Sequence, residues 1–367
     1  MEAPNLVLHT RCLEYACDLA NLAATVDRDQ DSWCWLDSGL QREGQGRVSI
    51  LARASRTVIA AGRSCRSVDA ISDLPARLRD LLKAGRHRRE GSLGRIVGPF
   101  VGGWIGYFTY ESMIDFDPAF PGREDDLPYP RFWLRECDEG ISVDHSTGQT
   151  VLWRWVESTA SSDLSNPIFD HWEEVLSSPA GSVEPATRID IEGRGPSLEL
   201  VESDFAAAYQ LNVRDILERI AAGEVYQVNL TAPVWLDGAV SGCSNFKRLR
   251  EVCPSDYTAF LRWPGIEAWV TSPELFFSVS GQVAEARPMK GTRPAVADEG
   301  RNRARAEELS GSEKDRAENV MIVDLYRNDL GRVAKVGTVD VPELFAVEQY
   351  ETVLQMTSTV RAELRDG

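Results

Sequence analysis

The chain has 367 residues, 43% of them apolar and 26% charged, an ordinary globular composition long enough for two domains or one large one. Its net charge of −17 and pI near 4.8 argue against nucleic acid and anionic membrane surfaces as main partners. No apolar run approaches the ~20 residues needed to span a bilayer. Met1 to Ala24 carries Glu2, Arg11, Glu14 and Asp18 rather than an apolar signal core, so no membrane association and a cytoplasmic location are expected.

The seven cysteines are scattered without a C-x-x-C pair, which favours reduced thiols over a disulfide framework or a zinc site. The four histidines, His9, His87, His145 and His171, all precede the second half. Chemistry there must use Glu, Asp, Lys or hydroxyls. A metal there must take oxygen ligands, which favours Mg²⁺.

In chain order, Leu13–Val26 reads as a helix, and Trp33–Asp37 and Arg47–Ala54 as strands. Ala70–Ala84 is helical through Ile71, Leu74, Leu78, Leu81 and Leu82, and the basic His87–Glu90 follows. Gly98–Glu111 sets four glycines among aromatic residues, the pattern of a strand in close contact with a neighbour. It reads as close packing, with direct ligand contact as the alternative. Trp133–Val143 and Val151–Val156 continue as strands. Residues 1–177 thus form one α+β region, 178–198 a linker rich in Ser, Pro, Gly and Glu, and 199–367 a second region.

The second region opens with a helix. Ser203 can cap it, Phe205, Tyr209, Val213, Ile216, Leu217 and Ile220 make one apolar stripe, and Gly223 can end it. Val225–Thr231 alternates as a strand would, with Gln227, Asn229 and Thr231 on a polar face that meets solvent or lines a site. Ala268–Val279 and Gln282–Arg287 read as a hairpin about Ser280-Gly281, placing Glu274 opposite Arg287. Glu285–Pro294 then puts Arg287, Lys290 and Arg293 within seven residues, bracketed by Pro288, Gly291 and Pro294. It reads as a rigid loop presenting Lys290 to a small anion, or as a solvated surface loop. Glu274 and Lys290 fall at one hairpin end, as a reactive pair or a structural ion pair. Ser312–Asn328 is a helix opened by Ser312-x-x-Asp315, with Glu318, Ile322 and Leu325 on one face. A carboxylate so placed needs a metal or a basic partner. Thr352–Leu364 closes the chain as a strand.

Together these stretches resemble the chorismate-utilising enzymes. The resemblance rests on Trp35–Gly39, Pro99–Glu111, Val225–Thr231, Thr271–Phe276, Arg287–Thr292, Ala317–Arg332 and Gln355–Val360, in that order. Lys290 places the chain on the aminodeoxychorismate synthase component I side, since the similar anthranilate synthases carry alanine there. The implied fold is α+β, with large, mostly antiparallel sheets and flanking helices, as in anthranilate synthase component I. The resemblance implies Lys290 as nucleophile, Glu274 as general acid/base, Glu318 as a Mg²⁺ ligand, and Gln227, Asn229, Thr292 and Arg327 as substrate contacts. Burial and the neighbouring Arg287 and Arg293 would favour the free amine that attack requires. Ammonia would come from a separate glutamine amidotransferase subunit. Ser38, Arg47, Tyr257 and Thr258 fall at positions resembling a tryptophan pocket. The alternatives are an anthranilate synthase and a non-catalytic fragment that binds only a partner or tryptophan. The family's Gly-Ser-x-Thr-Gly-Ala-Pro-Lys motif, Ile-Arg-Thr stretch and second metal-binding glutamate do not occur. The expectation is a fold incomplete at its C-terminal end, completed by further chain or a second chain, and poorly active alone.

Overall fold

The computed structural model describes residues 6–15, 17–26, 32–38, 48–61, 74–89, 100–117, 129–157, 169, 172, 176, 202–231, 242–263 and 266–366. Two antiparallel sheets organise them. Sheet 1 contains β1 (Leu6–Leu13), β2 (Trp33–Asp37), β3 (Val48–Ala61), β4 (Gly103–Phe108), β5 (Phe132–Asp144), β6 (Gln149–Glu157), β7 (Tyr257–Trp263) and β8 (Ile266–Ser272). Its order is β1-β6-β5-β3-β2-β7-β8, with β4 on β5. Sheet 2 contains β9 (Ser278–Ser280), β10 (Val283–Ala286), β11 (Met289–Pro294), β12 (Asp340–Gln349) and β13 (Val353–Glu363). There β13 is central, pairing with β10, β11 and β12.

The interior of sheet 1 is built on apolar strands. Trp33, Cys34, Trp35 and Leu51 are fully buried. Helices α1 (Leu19–Val26) and α4 (Cys243–Val252) cover one face, where Leu19, Ala23 and Phe246 meet Trp33, Trp35 and Phe260. The Trp33 and Phe260 rings stack at 4.8 Å. The glycine-rich stretch is the close-packed strand its composition predicts. A Cβ at Gly106 would lie 1.8 Å from the Trp133 carbonyl oxygen. Helices α5 (Glu299–Gly311) and α6 (Glu313–Gly331) pack on sheet 2, each with a capped start. Asp298 accepts from Arg301 N–H at 2.9 Å, and Ser312 accepts from Asp315 N–H at 3.3 Å, the capping box read in the sequence.

Several expected elements differ. The helix predicted over Leu13–Val26 begins only at Leu19, because Leu6–Leu13 pairs with β6 as a strand. Helix α2 spans Leu74–Arg89, later than expected. The Ala268–Val279 strand is two strands in two sheets, β8 and β9, with residues 273–277 crossing between them. Its hairpin pairs Ser280 with Val283 and Ser278 with Glu285, so the turn falls one residue later than predicted and each residue faces a partner two residues further on. Sheet 1 takes β7 and β8 from beyond residue 199, so the division between sheets does not follow the division into regions, and the linker at 178–198 lies outside the described residues.

Helix α3 (Glu202–Ala221) forms and stops at Gly223, which sits at φ 73°. Its expected buried stripe is largely uncovered: Tyr209, Leu217 and Ile220 are exposed. Val225–Thr231 is not a strand, because no described strand pairs with it. Alternation alone does not make a strand when the ladder partner is missing.

Candidate active site at the β11 bulge

Glu285–Pro294 is not a loop. Glu285 and Ala286 end β10, and Met289–Pro294 form β11 against β13. Met289 faces Thr357 and Thr292 faces Gln355, so Lys290 and Gly291 together oppose the single Met356. The bulge depends on Gly291 at φ 85°, a conformation costly for residues with a side chain. Leu309 and Asp315 press on it from the helices: an added Cβ would stand 3.0 Å from Leu309 Cδ1 and 3.1 Å from Asp315 Cβ. The bulge turns the half-buried Lys290 out of the ladder.

The three cations do not form one basic patch. Arg287 bonds Glu348 at 2.5 Å, with Glu343 at 4.0 Å. Arg293 holds Glu308 at 2.7 Å and Asp315 at 2.9 Å. Lys290 alone of the three has no carboxylate within salt-bridge distance among the described residues. The two arginines therefore do not act on it as free charges, contrary to expectation: each is neutralised by acids from α5, α6 and β12. Glu348, Glu308 and Asp315 had no sequence signal for this role, since they lie 15 to 61 residues away along the chain.

Glu274 does reach the site. Its Oε1 accepts the Met289 N–H at 3.0 Å, one residue from Lys290. Glu274 itself is exposed. Across from it, the Tyr326 phenol on α6 is pushed up, first by burial and then by the negative charges of Glu274 and Asp329. The arrangement is a carboxylate and an amine on adjacent backbone, facing one helix.

The other predicted residues divide. Thr292 Oγ1 donates to Gln355 Oε1 at 3.0 Å beside the bulge. Glu318 is half-exposed, with Lys314 Nζ at 3.9 Å, and Leu325 on its face is exposed too, so its setting is less apolar than predicted. Arg327 bonds Asp324 at 2.7 Å on the exposed side of α6. Gln227 and Asn229 lie on the unpaired 225–231 segment, and no described hydrogen bond brings them to Lys290. Asn319 and Ser358 were not singled out, yet they lock α6 to β13: Ser358 Oγ donates to Asn319 Oδ1 at 2.6 Å.

No group of three or more Cys, His, Asp or Glu side chains poised for a metal exists among the described residues. Mg²⁺, however, is often held by one or two carboxylates, with substrate and water completing the shell. Among the described residues Glu318 has only a long contact to an exposed lysine, so its carboxylate is open to serve as one such ligand.

A second cavity of about 890 Å³ lies between the sheets, and Ser38, Tyr257 and Thr258 line it with Arg287 and Arg361. Thr258 Oγ1 donates to the Asp37 carbonyl at 2.7 Å and Ser38 Oγ to the Val48 carbonyl at 3.1 Å, which joins β2, β3 and β7. Burial pushes the Tyr257 phenol up. Arg47, predicted with them, lies outside the described residues.

Asp315 offers a test of the bulge's support. Its carboxyl is held below the usual range by the Ser312 hydrogen bond and then by Arg293, against the cost of burial. A depressed folded value means stability present at neutral pH and lost as pH falls through it. Asp315→Asn is expected to cost about 1–2 kcal/mol near pH 7. In urea titrations across pH, that cost should shrink below pH ~4, where the unfolded carboxylate also takes its proton.

The chain belongs to the family of chorismate binding enzymes, whose model matches residues 36–367. Among its relatives is an aminodeoxychorismate synthase from Streptomyces pristinaespiralis, 31% identical over 97% of this chain and 51% of that protein. Aminodeoxychorismate synthase component 1 of Bacillus subtilis is 35% identical over 73% of this chain and 56% of its own length. The chain thus spans about half the length of these relatives. Anthranilate synthase component 1 of Thermus thermophilus is 32% identical over 91% of this chain and 70% of that protein. The fold matches anthranilate synthase component I from Streptococcus pneumoniae with a TM-score of 0.64 at 21% identity, over 89% of this chain and 71% of that one. No described helix is long and apolar enough to cross a membrane.

Proposed function

We propose that this chain carries the chorismate-converting site of an aminodeoxychorismate synthase, with Lys290 as its nucleophile. The observation that carries this reading is Lys290 itself: an amine without an ionic partner among the described residues, turned out of β11 by a bulge, with the Glu274 carboxylate anchored one residue away. A surface lysine in an acidic protein would ordinarily find a carboxylate, as Arg287 and Arg293 do.

The Lys290 amine, as free base, adds to C2 of chorismate while both ring double bonds shift and the C4 hydroxyl leaves as water, taking its proton from the acid form of Glu274. Ammonia then adds at C4, both double bonds return, and the C2–nitrogen bond breaks to release Lys290. The product is 4-amino-4-deoxychorismate, which leads to p-aminobenzoate and folate. Thr292, bonded to Gln355 beside the bulge, would border the ring, and Tyr326 would supply a hydroxyl near Glu274. Gln227, Asn229 and Arg327 would join only if their segments close over the substrate. Mg²⁺, when bound, would be held by Glu318 and neutralise a substrate carboxylate. A glutamine amidotransferase partner would supply the ammonia. The cavity between the sheets would take tryptophan through Ser38, Tyr257 and Thr258.

The similarity to anthranilate synthases keeps one alternative, amination at C2 with loss of pyruvate. Product identification by mass spectrometry decides, using the protein with chorismate, Mg²⁺ and ammonium. Aminodeoxychorismate is expected. Anthranilate as product would overturn the reading, and tryptophan failing to bind would remove the cavity from it.

A further inference from the structure

Sheet 1 holds a further, polar cavity, over β3, β5 and β6 and lined by other residues than the one between the sheets. Its volume is about 550 Å³, within the usual range for small-ligand sites. Two offset bulges make it. Arg53 faces Glu139 and Ala54 faces Cys137, which leaves Asp138 extra on β5. Arg56 then faces Glu136, which leaves Ser55 extra on β3. Bulges of this kind re-aim the neighbouring side chains.

Glu139 stands directly opposite Arg53 on one side and Arg154 on the other. It bonds both, at 3.3 Å each. That ladder needs no ligand. Arg135 does not belong to it. The residue is 8% exposed, its Nη2 donates to the Ala54 carbonyl at 3.3 Å, and its buried Nε has no hydrogen-bond partner among the described residues. A buried guanidinium with open donors is costly, and native structures seldom leave one unanswered. Burial pulls the Arg135 guanidinium down. Burial also pushes the Asp138 carboxyl up, against the Ser55 hydrogen bond and with help from Glu139 and Glu136.

We infer that this cavity is a binding site for a small monocarboxylate with a flat apolar body, its carboxylate held by Arg135 and Arg154. Arg53, Arg135 and Arg154 line the cavity together with Asp138 and Glu139, and Arg135 is the guanidinium whose Nε has no hydrogen-bond partner among the described residues. A phosphate dianion would be pressed against Asp138 and Glu139. Guanidinium forks match a carboxylate in two-point contact. Trp155 supplies the apolar wall. Its indole N–H is already committed to the Val101 carbonyl, so the ring is presented as a hydrophobic surface. The site stands whether or not the proposed reaction does.

The test is titration of the full chain with benzoate, followed by tryptophan fluorescence and by heat. Saturable binding is expected, weakened about tenfold by Arg135→Lys and by Arg154→Gln, and unchanged by Lys290→Ala. Arg135→Lys keeps the charge, and Arg154 is substantially exposed at its side chain, so both variants should fold. Inorganic phosphate should not compete. Three results would each overturn the inference: no saturable binding up to about 10 mM, binding indifferent to both arginine variants, or binding lost with Lys290→Ala. Phosphate binding as tightly as benzoate would overturn the monocarboxylate assignment.

Discussion

Lys290→Ala is expected to lower the rate of chorismate consumption with ammonium by at least about a hundredfold, and to remove any covalent adduct detectable on the intact protein. The reason is geometric. The bulge spends one residue of ladder pairing to turn this side chain out of the ladder, and no acid among the described residues pairs with it. A purely structural lysine would leave a different signature, with Lys290→Ala lowering the melting temperature while activity per folded molecule held. Lys290→Arg separates the roles further. It keeps the charge and most of the length, but a guanidinium does not deprotonate near neutrality and cannot attack. Activity retained by the arginine variant would remove Lys290 from the nucleophile's role.

Gly291→Ala is expected to destabilise the protein by about 2–4 kcal/mol, combining a disfavoured φ with overpacking, and to lower activity as well. At φ 85° a side chain is strained in any surroundings. Here the space is also filled, since the new methyl would stand 3.0 Å from Leu309 Cδ1 and 3.2 Å from Asp315 Cγ. Leu309 is fully buried against Leu354 and Met356 and cannot retreat cheaply. Relief must come from β11 flattening toward regular pairing, which would swing Lys290 back into the ladder. Urea unfolding and steady-state rates on the same sample test both parts. A variant as stable as the parent would show that the bulge is not held by this contact.

The strands with dense apolar patterning were legible from the chain alone. Trp33–Asp37, the core of β5, and β13 fall where composition put them, because burial on a sheet demands those residues at that spacing. The four glycines of Gly98–Glu111 announced the close approach that Gly106 makes. The Ser312 cap was legible because capping is a contact over three residues. Val225–Thr231 shows the limit of such reading: its alternation is genuine, but a strand needs a neighbour, and pairing is not a local property. The crossing of 273–277 between sheets was hidden for the same reason, since one apolar run serves two sheets.

At the candidate site, residue chemistry alone singled out Lys290 and Glu274 at one end of the hairpin, and the Glu274 carboxylate does bond the backbone beside Lys290. What they face was settled only by packing. The acids that neutralise Arg287 and Arg293 arrive from helices and a strand distant in sequence. The bulge that frees Lys290 follows from how β11 registers on β13, sixty-odd residues later in the chain. The cluster around Arg135 joins strands from positions 53, 135 and 154, none marked by any motif. Local sequence determines propensity and residue chemistry. Charge balance, register and cavity shape are sums over long-range neighbours, so they exist only once the sheets have formed.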